Sequence, residues 1–582
     1  MDSFSSSFLS SIPHTKVPNI LIRHPSSPPR IYISSVRIED KPQGAINSSP
    51  TPTIPSSLPT SQNTKAPKSS SPPPTTEIRP KSTLLPPASG RRYKTQQSLP
   101  STFLNTLDDI INQFIDPPTR PSVDPRFILS ENFAPVEELP PTECEIEEGA
   151  LPSCLDGAYI RNGPNPQFLP RGPYHLFDGD GMLHSIRISN GKAIFCSRYV
   201  KTYKYEIERE AGSSILPNVF SGFNGLLGSA ARGSLAAARM IAGQFNPSNG
   251  IGLANTSLAF FGNRLYALGE SDLPYEVKLT PNGDIQTVGR NDFEGKLFMS
   301  MTAHPKVDLE TGEAFAFRYG PMPPFLTYFR FDSKGNKQAD VPIFSMLRPS
   351  FLHDFAITKK YAIFPDIQIT MNPAEMILGG GSPVGLNLIH ATNAWDEVNE
   401  DGNEAIIIVA LNIISAEHTL ERMDLIHALV EMIRIDLKTG VVSRQPMSAR
   451  NLDFSVINPN YLGKKNKYVY AAIGDPMPKI TGVVKMDVSV TQDRRECILA
   501  SRMFGPRSYG GEPFFVATNP DDPNADEDEG YLVSYVHDEN TGESRFLVMD
   551  AKSPNLDIVA SVKLPQRVPY GSHGLFVRDR DL

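Results

Sequence analysis

The chain has 582 residues, of which 39% are apolar and 21% charged, enough for several domains or one large closed architecture with a sizeable core. Its four cysteines (Cys144, Cys154, Cys196, Cys497) show no paired spacing, which excludes a disulfide scaffold and a zinc ribbon. The net charge of −8 is unevenly spread: residues 1–100 hold 12 Lys/Arg against 4 Asp/Glu, and the remainder 44 against 60, so no counterion release would drive the acidic body onto nucleic acid.

Residues 1–100 also contain 21 Ser, 9 Thr and 18 of the 54 Pro. Such a segment buries too little to offset its ordering entropy. Basic, acid-poor and Ser-rich from Met1 onward, it has the composition of an organellar transit peptide, and its Ser/Thr richness points to a plastid. The segment 1–100 is therefore expected to be a disordered plastid leader, cleaved before Gln97. A generic disordered tail is the competing reading.

A short helix comes next, over 101–118. Phe103, Leu104, Leu107, Ile110, Ile111, Phe114 and Ile115 recur at helical spacing, and Asp116-Pro117-Pro118 stops it. Asp108, Asp109, Asn112 and Gln113 form the opposite face. The apolar face either packs on the body or makes a peripheral contact with a plastid membrane or plastoglobule.

From 119 to 582 the pattern is short β runs joined by glycine turns. Ile186 to Phe195 brackets Asn190-Gly191, the signature of a type I′ hairpin. Further turns stand at Gly262-Asn263, Asn282-Gly283, Thr311-Gly312, Gly335-Asn336, Thr439-Gly440 and Thr541-Gly542. A run of about 450 residues of this kind fits a β-propeller. Two segments read as helical insertions, the Ala-rich Leu226 to Phe245 and His418 to Val430. Three uncharged stretches reach transmembrane length (211–231, 240–263 and 376–395), but each is broken by glycine, proline and polar residues and is not read as a bilayer span.

Nine histidines lie outside the leader, and no pair has the i, i+4 spacing of a helical metal site. A metal site would have to be gathered from distant segments, as strands around a propeller axis permit. His304, His353, His390 and His573 stand in apolar or small-residue contexts: Met301-Thr302-Ala303-His304-Pro305, Phe351-Leu352-His353-Asp354-Phe355, Leu388-Ile389-His390-Ala391 and Tyr570-Gly571-Ser572-His573-Gly574. Singly, each is more often a satisfied core histidine than a ligand; buried and neutral, it would suit iron, copper or zinc.

These contexts, together with the run from Tyr174 to His184, resemble the carotenoid cleavage dioxygenase family, from about Pro121 to Leu582. The Ala-rich segment and the run from Gln244 to Asn255 are similar to the plastid type-4 subgroup. The resemblance implies an all-β, seven-bladed propeller with short helical insertions capping one face. It implies one Fe(II) per subunit held by His304, His353, His390 and His573. Glu270, Asp453 and Glu512 would hydrogen-bond ligand N–H groups, with Asp453 standing where many relatives have glutamate. The implied reaction is oxidative cleavage by O2 of a polyene double bond, at the 9,10 (9′,10′) position of a C40 carotenoid such as β-carotene or of a C30 apocarotenoid.

In one place the chain departs from that pattern. His353 and His390 are 37 residues apart, roughly 30 fewer than in relatives, which is two or more strands' worth. Gly379-Gly380-Gly381-Ser382-Pro383-Val384-Gly385 passes directly to Leu386. The loss would expose strand edges and threaten the place of His390 on the axis. A catalytically impaired carotenoid-binding propeller is therefore a second reading, and a 9-cis-epoxycarotenoid dioxygenase a third.

Overall fold

The computed structural model describes residues 20–23, 99–118, 121–218, 220–221, 225–347, 349, 351–365, 390–414, 422–489 and 497–582. By internal packing, residues 1–36 and 95–582 form one unit and residues 37–94 another. The second unit lies outside the described residues, as does Gly379–Gly385 of the shortened connection.

The body is built of antiparallel strands in a propeller-like arrangement. Four sheets have four strands each, paired in chain order. The first is Ser257–Phe261, Arg264–Leu268, Tyr275–Leu279 and Ile285–Arg290; the second Lys306–Val307, Ala314–Tyr319, Leu326–Phe331 and Val341–Ile343. The third is His390–Val398, Glu404–Ile413, Ala428–Asp436 and Val442–Pro446; the fourth Leu452–Val456, Tyr468–Ile473, Gly482–Asp487 and Ile498–Met503. Inner strands are covered by neighbouring sheets on both faces, so they read as unbroken apolar runs: Ala405 to Leu411 is buried throughout, whereas Val442–Pro446 is mostly half-exposed.

The chain ends close the ring. Gly574–Arg578 pairs antiparallel with Gly157–Pro164, and Ile558–Lys563 pairs with Leu139–Gly149, merging both ends into one ten-stranded sheet. Hairpin chemistry follows the sequence: Asn190 and Gly191 have φ of 51° and 71°, and Gly262 and Asn263 have 58° and 57°, as a type I′ turn requires.

Ala356–Ile357 and Tyr361–Phe364 form a smaller sheet, and its third strand is Ile20–Arg23 of the leader, antiparallel to Tyr361–Phe364. Ile20-Leu21-Ile22 differs from the Ser/Pro-rich sequence around it in being an apolar, β-branched run. It lies along the edge of Tyr361–Phe364 remote from Ala356–Ile357.

The helix Leu99–Ile110 continues as a π turn over Ile111–Ile115 and packs on the helix Gly225–Ile241 through Leu104, Ile111 and Leu235. Its polar side is divided: Asp109 and Gln113 are exposed, whereas Asp108 and Asn112 meet the second helix. Asp108 pairs with Arg239 at 3.3 Å, and Asn112 accepts from Arg232 at 2.9 Å. Phe103, Ile110, Phe114 and Ile115 are left exposed. The expected helix over His418 to Val430 is not formed. Met423–Leu425 is a 3-10 turn, and Ala428 already belongs to a strand fixed by pairing with Glu404–Ile413; residues 415–421 lie outside the described residues. No described helix is long and apolar enough to cross a membrane.

Leu411 is fully buried between the third and fourth sheets, whereas Leu499 on an outer strand is 52% exposed. Leu411→Ala should lower unfolding free energy by about 2–5 kcal/mol, and Leu499→Ala should stay within about 0.5 kcal/mol. Comparable shifts in denaturation midpoint for the two would contradict this layering.

Candidate metal centre

Pairing brings the four histidines to one place. His304 lies two residues before Lys306–Val307, and His353 three before Ala356–Ile357. His390 opens His390–Val398, and His573 immediately precedes Gly574–Arg578. Each therefore stands at the start of a strand at one edge of its sheet.

His304 Nε2 and His353 Nε2 are 3.0 Å apart, and His353 Nε2 and His390 Nε2 are 3.4 Å apart. The His573 ring lies 4.6 Å from that of His304 and 4.9 Å from that of His390, both nearly perpendicular. Two imidazole nitrogens bound at right angles to one ion at ~2.1 Å would stand ~3 Å apart, so His304, His353 and His390 form a group that could hold one metal ion, with the His573 ring beside them. Imidazole nitrogens alone suit iron, copper or zinc, and do not favour magnesium or calcium.

The outward Nδ1 atoms meet carboxylates. His353 Nδ1 pairs with Glu270, His390 Nδ1 is 3.1 Å from Asp453 Oδ1, and His573 Nδ1 is 2.9 Å from Glu512 Oε1. A proton held on Nδ1 leaves the Nε2 lone pair directed inward. The Gly574 amide donates to the other Glu512 oxygen at 2.8 Å, and the Tyr319 hydroxyl to the other Glu270 oxygen at 3.3 Å. Asp453, one methylene shorter than glutamate, still reaches its ring. The Phe454 amide donates to the same Oδ1 at 2.6 Å, and Phe454 adopts φ 48°, a left-handed backbone that a bulky residue rarely takes. Its ring stacks on His390 and meets His573 edge-on.

Burial, and then the neighbouring imidazoles, hold His304 well below the usual histidine range. Burial likewise lowers His390, against the pull of Asp453. Burial works to lower His353 too, but Glu270 more than offsets it and the net shift is upward. Burial raises the Asp453 carboxyl, but its bond to His390 carries it below its usual value.

Two charged residues that the motifs did not single out tie three of these segments together. Lys306 Nζ and Asp354 Oδ1 form a buried ion pair at 2.8 Å. Lys306 Nζ also donates to the Ala391 carbonyl at 3.1 Å, and the Ala391 amide donates to Asp354 Oδ2 at 2.7 Å. Lys306 follows His304, Asp354 follows His353 and Ala391 follows His390, so one ion pair sets three rings relative to one another. The sequence signal was an aspartate next to one candidate histidine and a lysine two residues after another.

The family described as Retinal pigment epithelial membrane protein (RPE65) matches residues 133–388 and 382–578. The two pieces meet inside the shortened connection. The chain is similar to a probable carotenoid cleavage dioxygenase 4, chloroplastic, of Arabidopsis thaliana, 59% identical over 614 aligned positions and covering 100% of both. With 582 residues in this chain, some thirty of those positions fall opposite gaps in it. A chloroplastic 9-cis-epoxycarotenoid dioxygenase (NCED1) of Oryza sativa subsp. japonica is 58% identical over 83% of this chain and 81% of its own. The fold resembles the solved lignostilbene dioxygenase of Pseudomonas brassicacearum, with a TM-score of 0.64 and 23% identity over 78% of this chain and 98% of that one.

Asp354→Asn would leave the Lys306 ammonium buried without its carboxylate. This should cost about 3–5 kcal/mol of stability and reduce bound metal, measured by atomic absorption. Adding Lys306→Met removes the orphaned charge and should recover part of the stability. If the double variant is less stable than the single, the ion pair does not work this way.

Proposed function

The chain belongs to the RPE65/carotenoid cleavage dioxygenase family, and from this premise we propose that His304, His353, His390 and His573 hold one Fe(II) per subunit for cleavage of the 9,10 (9′,10′) bond of a C40 carotenoid such as β-carotene, or of a C30 apocarotenoid. Its activity is that of a non-haem iron carotenoid cleavage dioxygenase, which splits a polyene double bond with O2 into two carbonyl products. The ligand assignment rests on one observation: histidines from four separate segments converge, and three of them have a carboxylate at the outward nitrogen.

When bound, the iron supplies activation of O2 beside the double bond. The chain's own residues do the rest. The imidazoles turn Nε2 toward one another, and Glu270, Asp453 and Glu512 hold three rings in orientation without occupying a coordination position. The Phe454 ring gives the site an apolar wall against which a polyene can lie, so that its position along the site selects the bond. We further assign seven blades. The ten-stranded sheet divides where Leu139–Gly149 meets Ile558–Lys563, giving two, and the smaller sheet with the four four-stranded ones makes seven.

The basic leader and the two chloroplastic relatives support a plastid location. A lipid-dissolved substrate and the exposed Phe103, Ile110, Phe114, Leu226, Leu227 and Ile241 on the two packed helices support peripheral contact with a plastid membrane or plastoglobule.

Purified protein with Fe(II), O2 and β-carotene should yield two carbonyl fragments whose masses report the 9,10 (9′,10′) cut. Each of His304→Ala, His353→Ala, His390→Ala and His573→Ala should abolish it. A second reading, 9-cis-epoxycarotenoid cleavage, is favoured by the 58% identity to the rice enzyme; turnover of a 9-cis-epoxycarotenoid but not of β-carotene would select it. Bound carotenoid with no product from either substrate would instead mark an impaired propeller. Phe103→Glu with Phe114→Glu should weaken liposome co-sedimentation without changing iron content, and unchanged binding would remove those helices from the membrane contact.

A further inference from the structure

Arg161 is 2% exposed, yet no carboxylate pairs with it among the described residues. A guanidinium is costly to bury without a partner, so what surrounds it is informative. It stands on the strand Gly157–Pro164, directly opposite Gly574 in the closing pair. Its Nη2 donates to the Pro569 carbonyl, in the loop that leads to His573. Its Nε has no partner among the described residues. The guanidinium lies over the Tyr535 ring, 5.1 Å from its centroid. The carboxylate whose charge it feels is that of Glu512, the partner of His573.

Two glycines explain the geometry. A Cβ at Gly511 would stand 2.7 Å from Arg161 Nη1, and its next nearest neighbours would also be Arg161 atoms. A Cβ at Gly571 would stand 2.9 Å from Arg161 Nε and 2.8 Å from the Asn162 carbonyl. Gly511 immediately precedes Glu512, and Gly571 lies two residues before His573. Both loops are therefore open only where the guanidinium fills them. The ion pair of Lys306 and Asp354 ties the segments of His304, His353 and His390 but does not reach His573.

We propose that Arg161 is the positioning residue of the fourth histidine: its planar guanidinium, wedged between Gly511 and Gly571, sets the Glu512 carboxylate against His573 Nδ1 and so aims His573 Nε2 at the metal. The inference rests on the reading of His573 as an iron ligand. Lysine cannot replace arginine here, because the wedge needs a planar fork that contacts both loops at once.

The test uses the full chain and reads Fe(II) affinity by chelator competition, the visible absorption of the Co(II)-loaded protein as a report of coordination, and the melting midpoint of the metal-free protein. Arg161→Lys and Arg161→Met should each weaken Fe(II) binding 10–100-fold, the range of a lost ligand-orienting partner, and shift the Co(II) spectrum toward that of His573→Ala. Combining Arg161→Met with Glu512→Gln should add less than about twofold to the larger single loss, since both act through one ring. Gly511→Ala, which displaces the guanidinium without removing it, should reproduce the spectral shift and serves where Arg161→Met fails to fold. A wild-type chain that binds no iron, or a His573→Ala variant with unchanged affinity and spectrum, would defeat the ligand reading and this inference with it. Iron bound normally by the wild type, with Arg161→Lys and Gly511→Ala leaving affinity and Co(II) spectrum unchanged and lowering only the melting midpoint, would overturn the role of Arg161 alone.

Discussion

Closure of the ring by Gly574–Arg578 against Gly157–Pro164 is the constraint on which the metal centre depends. A strand at one edge of a sheet offers its backbone to the neighbouring strand, and its first residue is free to carry a side chain toward the middle. The closing pair leaves His573 at the mouth of such a strand, held by its own amide to the Thr256 carbonyl and by its carbonyl to the Asn162 amide. His390 starts its strand in the same way, and His304 and His353 stand a few residues ahead of theirs. No local spacing could gather these four, because what joins them is inter-strand hydrogen bonding over hundreds of residues.

The electrostatics around the centre form a second layer. Burial keeps His304 and His390 neutral, the form in which imidazole binds a metal. Glu270, Asp453 and Glu512 bring three negative charges close to the rings. In the proposed holoprotein a divalent ion offsets two of them, and Arg161 is a buried cation packed against Gly511, the residue before Glu512. Lys306 and Asp354 compensate one another. The interior thereby holds many ionisable groups with little uncompensated charge, as a low-dielectric core requires.

Composition and pattern carried the all-β class, the turns at Asn190-Gly191 and Gly262-Asn263, and the two helices, because these are set by short-range φ/ψ and burial preferences. Pattern failed at His418 to Val430. There Leu425 and Leu429 recur at helical spacing, but the long Glu404–Ile413 strand recruits Ala428–Asp436 as its neighbour and tertiary pairing overrides local periodicity. The seven residues named for the centre came from resemblance, since each histidine by itself is indistinguishable from a core residue. Arg161 and Asp354 stand among apolar residues and Lys306 two residues after His304, but their partners lie in other segments, and a sequence alone does not say which loops they join. The polar face of the helix Leu99–Ile110 was misleading for a similar reason: Asp108 and Asn112 look solvent-directed until Arg239 and Arg232 of the second helix are in place.

The shortened connection between His353 and His390 shows which links matter most. The family match breaks between 382 and 388, and among the described residues this sheet has only Ala356–Ile357 and Tyr361–Phe364 from the body, with Ile20–Arg23 beside them. Loss of strands there would be expected to drag His390 away if the covalent connection positioned it. Among the described residues, the contacts that place His390 come from other segments. Its own strand pairs with Glu404–Ile413 from His390↔Leu411 onward, its ring is held by Asp453 from the following sheet, and the next residue is fixed from both sides by Lys306 and Asp354. The ring accordingly stays 5.3 Å from that of His353 and 4.9 Å from that of His573. His390 is thus placed by its strand neighbour and by residues of other sheets.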